Sequence, residues 1–313
     1  MIIREEIAML ALTKTKKKNY IKPTGSDRTL DVVVNIILFV FAVICLYPLW
    51  YTLIASFSNP AYTYTGQVWL WPKGVSFLAY ETLYAEKEIW VGYRNSLVYT
   101  VVYCVFQLVL LIPTSWVMSR PRLKGSKAIF MFFLIPMYFS GGMVPSYVLM
   151  SQLGLVDNWW VMVIPQGVAA YYLIITRNYF MGNIPESVFE SARMDGASVI
   201  QFLIRFVVPL SKPIVSVLVL YFGIGKWNDY TEPMIYIQDV KKQSLQVLIR
   251  NITKGLSEEQ MDIMDPEEVA ELTMRNNLLK YAVLVVASIP LLLLYPVVQR
   301  YLIGGVMLGS VKE

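Results

Sequence analysis

The residues whose spacing points to a specific task lie in one stretch, residues 183–213, NIPESVFESARMDGASVIQFLIRFVVPLSKP. Pro185 suits the first turn of a helix, where its missing N–H costs nothing. Residues 187–195 then read as a short amphipathic helix, and Gly196 is placed to adopt positive φ and end it. A second short helix, residues 198–206, runs until Pro209 redirects the chain. The result is a helix–turn–helix elbow. It has two readings: an ordinary surface loop closed by a glycine cap, or a docking element for another protein.

Other chemistry is missing. The sequence contains no histidine, which removes the commonest general base, the usual Ser or Cys triads and every His-based metal site. Cys45 and Cys104 both sit in apolar runs and read as small buried hydrophobes. No G-x-x-x-x-G-K-[ST] loop is present to cradle a nucleotide phosphate. The GSK at residues 125–127 is followed by Ala and lacks the upstream glycine. Neither H-E-x-x-H nor G-x-S-x-G occurs.

The elements that must carry the elbow follow from composition. Of 313 residues, 56% are hydrophobic and 16% charged, whereas a soluble domain carries roughly 25% charged residues. Much of the surface therefore faces lipid. A bilayer-crossing helix needs about 20 mostly apolar residues. Five stretches qualify clearly, and the expected spans are about 32–57, 95–119, 128–150, 158–176 and 279–300. A sixth, about 207–225, contains Lys212, which can snorkel to the interface. Pro136, Gly141, Gly142 and Pro145 interrupt the third span. Irregular backbone at membrane depth is tolerated only against protein or a water-filled cavity, so that span is either a bent helix beside a pathway or a kinked packing helix.

Charge sets the orientation. Arg4, Lys14, Lys16, Lys17, Lys18, Lys22 and Arg28 precede the first span and mark residues 1–31 as cytoplasmic. Glu5 and Glu6 argue against a cleaved signal peptide there. Arg120, Arg122, Lys124 and Lys127 mark an inner loop, as do Arg193, Arg205 and Lys212. The loop 226–277 has more acids than bases and is expected outside, while Arg300 and Lys312 bring the tail, 305–313, back inside. Six spans make every loop consistent. The expectation is an all-α polytopic membrane protein with a permease domain over 32–304, both termini inside and the elbow, residues 182–213, on the cytoplasmic face.

The elbow resembles the EAA loop of bacterial ABC importer permeases, in which Glu, a small residue and Ala precede a Gly, followed by Ile-x-Leu-Pro. Here Glu190, Ser191 and Ala192 precede Asp195 and Gly196, and Phe206, Val208 and Pro209 stand at the Ile, Leu and Pro places. Ser191, Phe206 and Val208 are departures of modest volume. The likeness extends along nearly the whole chain. YPLWYTLIASFSNP (47–60), NSLVYT (95–100), WNDY (227–230) and YPVVQRYLIGGVMLGSVKE (295–313) are similar to the MalG-like carbohydrate permeases. PMYFSGGMVPSYVLMSQLGLVDN (136–158) resembles their LplC/YtcP-type branch.

This resemblance implies a type I ABC importer permease in the bacterial cell membrane. Its function would be to form the translocation pathway for a carbohydrate, of the complex oligosaccharide kind, by alternating access. Its partners would be a second permease, cytoplasmic ATP-binding subunits, an extracellular solute-binding protein, the oligosaccharide and membrane lipid, with no nucleic acid. The chain would not itself be an enzyme and would hold no cofactor or metal, ATP and Mg being held by the ATPase. Glu190 and Asp195 would cap or pair with polar groups of the ATPase groove, while Ala192 and Gly196 allow close approach. In the plainer reading Glu190 pairs with Arg193, worth only about 0.3 kcal/mol. Candidate sugar-pathway residues are Tyr138, Tyr221, Trp227 and Asn228, although aromatics also serve as interfacial belts and packing residues. The alternatives are a permease for a non-sugar solute, a secondary transporter or a polytopic membrane transferase. The last two need intramembrane carboxylates or acid/base groups, and the five clear stretches, the last taken as 281–299 between Lys280 and Arg300, contain no charge.

Overall fold

The computed structural model describes residues 25–120, 124–255 and 264–309. Most of the expected N-terminal segment, the acid-rich run 256–263 and the last four residues of the tail lie outside the described residues. All regular secondary structure among the described residues is helical. The chain divides into two compact units at Tyr51/Thr52. Among the described residues the first unit holds helix α1, Gly25–Ser56, up to Tyr51; the helix contains Pro48, and its last five residues belong to the second unit. The 32 residues of α1 exceed the length that about 30 Å of hydrocarbon requires.

In the second unit the short helices α2 (Pro60–Tyr64) and α3 (Leu78–Ala85) lead into the long α4 (Lys87–Ser119). Helices α5 (Ser126–Tyr138) and α6 (Met143–Gln152) follow. They meet at 115°. The third expected span is thus broken where its Pro and Gly residues cluster.

The fourth expected span, 158–176, is placed differently. A single 3₁₀ turn occupies Trp159–Met162, and the helix proper, α7, runs Ala170–Asn183. Pro165 and Gly167 lie between them; Gly167 takes φ 47° and breaks the path. Helices α8 (Glu186–Met194), α9 (Val199–Phe202) and α10 (Val208–Leu210) form the elbow. Helix α11 (Lys212–Trp227) turns away from it by 83°. Beyond it lie α12 (Thr231–Tyr236), α13 (Leu245–Lys254) and the long α14 (Pro266–Gly309). Glu267 and Glu268 occupy the first turn of α14, where acids complement the helix dipole. Among the described residues three helices are long and apolar enough to cross a membrane, and five if each bent pair is one span.

Helix α4 is the spine. It packs against α7 and α11, and α11 packs against α14. One part of the core gathers Leu111, Trp116, Leu173, Phe180, Phe202 and Leu218. Another gathers Leu83, Ile89, Trp227, Leu245, Leu279 and Val283. Gly92 marks the close approach of α4 to α13: a Cβ there would stand 2.7 Å from Leu248 Cδ1 and 3.3 Å from the Leu245 backbone.

Candidate functional site

The elbow begins on a buried residue, Ile184, and closes through its backbone. Gly196 takes φ 86°. Its N–H donates to the Arg193 carbonyl at 3.0 Å, and the Ala197 N–H to the Ala192 carbonyl at 3.0 Å. This is the Schellman closure that satisfies the last carbonyls of a helix. Ser198 then caps α9 in a capping box with Gln201. Past α9 the backbone widens into a π-turn, Leu203–Val207, before Pro209. Such turns are rare and occur mostly at functional positions.

An aromatic hub fixes the elbow to α4. Trp116, 1% exposed, meets Phe180, Phe189 and Phe202 with ring centroids 6.1, 5.9 and 5.2 Å away. Phe206 stacks on Phe202 at 5.2 Å. Arg120, the residue that ends α4, lays its guanidinium 3.4 Å from the centre of the Trp116 ring and pairs with Glu186 at the start of α8. The stack and the ion pair hold the same cation from two sides.

The expected coupling residues are distributed around this hub. Ala192 is buried against it, while Ser191 donates to the Ser187 carbonyl at 2.9 Å. Glu190 lines a 300 Å³ hollow with Trp116, Arg120, Glu186 and Arg193. Asp195 and Gly196 form the exposed turn, and Val208 and Pro209 open α10. Large apolar side chains of the elbow are also exposed, Met194 at 88% and Ile200 at 69%, with Val199 and Ile204. Arg120 reads in the sequence as no more than an inner-loop charge. Its role follows from contacts 66 residues apart with Glu186, which no local pattern reveals.

A second site lies at the other end of α11. A cavity of 450 Å³ is lined by Tyr103 of α4, Gln166, Tyr172 of α7, Tyr221, Phe222 and Lys226 of α11, and Asp229 and Glu232 beyond it. The Lys226 ammonium is 3.1 Å from Asp229, pairs with Glu232 and stands 5.3 Å from the centre of the Tyr103 ring. Gln166 donates its amide to Glu232 and accepts from the Tyr103 hydroxyl. Burial pushes the Glu232 carboxyl up against the opposing pull of Lys226. The Asp229 carboxylate also accepts from the N–H groups of Thr231 and Glu232 at 3.0 and 3.1 Å, capping α12.

Of the four residues expected along a sugar pathway, Tyr221 lines this cavity. Trp227 does not; it is buried in the core beside Leu279 and Ala287 and donates its indole N–H to the Ala287 carbonyl at 3.0 Å. Asn228 is exposed and closes α11 on the Ile224 carbonyl at 3.0 Å. Tyr138 is exposed at the end of α5 and lies outside the cavity lining. By sequence Lys226 is only the charge that follows the sixth expected span, 207–225. Asp229 of the WNDY run also lines the cavity.

Above the cavity the chain is tied down. Asn95 donates to the carbonyls of Lys241 and Gln243 at 2.8 and 3.0 Å, and Tyr99 to that of Lys242 at 2.8 Å. Ser96 accepts from the Leu245 N–H at 2.9 Å. Asp157, at φ 58°, accepts from the N–H groups of Gln238 and Asp239 and from Lys242. These bonds, the Asp239 amide first, hold its carboxyl below the usual range.

Comparison with known proteins agrees with this architecture. Residues 89–307 match the family described as binding-protein-dependent transport system inner membrane component. The chain is 32% identical over 289 residues to the polygalacturonan/rhamnogalacturonan transport system permease protein YtcP of Bacillus subtilis, covering 91% of this chain and 99% of that protein. It is 30% identical over 294 residues to the protein LplC of the same organism, covering 92% and 97%. It also superposes, with a TM-score of 0.80 and 32% identity over 89% of its length, on a chain from the crystal structure of a bacterial ABC transporter involved in the import of the acidic polysaccharide alginate. That match covers 98% of the other chain.

Proposed function

The chain belongs to the family of binding-protein-dependent transport system inner membrane components, and from that premise we propose that it is the carbohydrate-conducting permease subunit of an ATP-driven importer. It is a multi-pass membrane protein and a transport component rather than an enzyme. In this reading it crosses the membrane six times with both termini in the cytoplasm, the bent α5–α6 pair and α7 each counting as one crossing. It lines the pathway together with a second permease. A solute-binding protein delivers an oligosaccharide from outside, and cytoplasmic subunits bind ATP and Mg²⁺.

The observation that carries the coupling role is the exposed apolar face of the elbow, Met194, Val199, Ile200 and Ile204. A patch of this kind on a positively flanked inner loop calls for a protein partner. The elbow is anchored through Arg120 and Trp116 to α4, which also carries Tyr103 of the cavity. Closure of the ATP-binding subunits moves the elbow, and the spine carries that movement to the cavity. Coupling then means that ATP and sugar each favour one of two shared states.

Co-purification tests the assembly: the tagged chain should bring down an ATPase and a second permease. Gly196→Pro tests the elbow. Proline cannot adopt φ 86° and has no N–H for the Arg193 carbonyl. The variant should insert normally but show no ATPase stimulation by sugar-loaded binding protein, and normal stimulation would reject the coupling assignment.

A further inference from the structure

The cavity beside Tyr221 holds a cation that is already matched. Among the described residues lining it, Lys226 alone is cationic. Its ammonium contacts both Asp229 and Glu232, and its side chain is only 2% exposed. A carboxylate entering the cavity would have to displace one of these partners, leaving a partly buried acid without its counter-charge. With both acids ionised the cluster carries one net negative charge, and with Glu232 protonated it is neutral. Neither state offers positive charge to an anion. The remaining walls suit an uncharged sugar. Tyr172 and Phe222 meet edge-on at 4.8 Å with Tyr221 next to them, and such rings stack on the C–H faces of pyranoses. The carboxylates of Asp229 and Glu232 are acceptors for hydroxyl donors.

We propose that this cavity binds the hydroxyl-bearing face of a neutral sugar ring and turns away uronates. The proposal rests on the carbohydrate-permease reading and sets this chain apart from relatives whose names specify acidic polysaccharides.

The test uses α-(1→4)-linked galactotriose and α-(1→4)-linked trigalacturonate, which share ring and linkage geometry and differ at C6, a hydroxymethyl in one and a carboxylate in the other. Saturation-transfer NMR on the detergent-solubilised importer complex, without its binding protein, reads contact with each. Galactotriose should receive transfer that is lost in Tyr221→Ala, and trigalacturonate should receive about tenfold less. Asp229→Asn keeps an oxygen to cap α12 while removing the charge, and Glu232→Gln removes the other acid. Either should raise the trigalacturonate signal several-fold. Equal transfer to both sugars in the wild type, a ratio unmoved by both variants, or no transfer sensitive to Tyr221→Ala would overturn the proposal. Uptake by the complete importer in proteoliposomes separates the two levels. Import of oligouronides would reject the charge assignment alone, whereas import of a non-sugar solute with no oligosaccharide would reject the carbohydrate reading.

Discussion

The two ends of the second unit solve opposite problems. At one end, the outer one in the proposed topology, residues 236–245 are fixed by side chains from other parts of the chain. Asn95, Ser96 and Tyr99 of α4 hold their backbone, and Asp157 holds two more amides and Lys242. At the other end, inner in that topology, the elbow is joined to α4 at the Trp116 hub and leaves Met194, Val199, Ile200 and Ile204 exposed. The outer segment is preorganised by hydrogen bonds within the chain. The elbow is anchored at its base and leaves these apolar side chains uncovered. A surface built for docking without deformation and a lever built to be pushed would differ in this way.

The sharpest way to break the contrast is to cut the lever at its root. Arg120→Ala removes the ion pair with Glu186 and the stack on Trp116 together. It should cost about 3 kcal/mol of local stability. Amide exchange in Glu186–Met194 should accelerate strongly while residues 236–245 stay protected, and ATPase stimulation should fall away. Arg120→Lys keeps the charge but not the planar stack and should recover only part of the loss. If the outer segment loosens as much as the elbow, the two ends are not mechanically distinct.

Next in size is the bare face itself. Ile200→Asp places a charge where the side chain is 69% exposed, so folding should change by no more than about 0.5 kcal/mol. Affinity for the ATP-binding subunit should drop at least about tenfold if Ile200 sits in the docked core. Pull-down of the ATPase by the variant, compared with thermal unfolding of the variant alone, separates the two effects. An unchanged pull-down would return the elbow to the plainer reading of a capped surface loop.

These two variants also show what the sequence disclosed. The elbow was legible because its boundaries are written in residue types with fixed backbone preferences. Pro185, Gly196 and Pro209 bracket helices that the structure places at Glu186–Met194 and Val199–Phe202. The long helices were legible because lipid demands an absence of charge over many residues. The start of α7 was not: Pro165 and Gly167 lie inside an uncharged run, and counting charge cannot see a break in the backbone. Arg120 and Lys226 were hidden for another reason. Each looked like a boundary charge, yet each is half of a pairing, with Glu186 66 residues away in the first case and with Glu232 across a turn in the second. Burial of a cation is a property of the folded surroundings, and single-residue polarity points the opposite way. For Trp227 the sequence left pathway and packing open, since a ring in the core and a ring on a pathway have one letter, and the structure buries it.

The smallest expected effect belongs to the outer end, and it sharpens the comparison by its size. Asp157→Asn deletes the charge that meets Lys242 at 3.1 Å but keeps an oxygen for the Gln238 and Asp239 amides. Because several independent bonds hold the segment, its loss should raise amide exchange at Gln238–Lys242 only a few-fold, with transport nearly unchanged. The pH dependence has a definite sign. The Asp157 carboxyl is held below its usual range, chiefly by the Asp239 amide and then by Lys242. Its contribution is therefore complete above the ordinary carboxylate range and is lost as pH falls through the lowered value. Asp239, 3.7 Å from Lys242, shares that ammonium and keeps part of the tie in place. The wild type should be better protected than Asp157→Asn at neutral and mildly acidic pH, and the difference should vanish only below the usual carboxylate range. A difference that vanished already near neutrality would mean that the Asp239 amide and Lys242 do not hold the Asp157 carboxyl low.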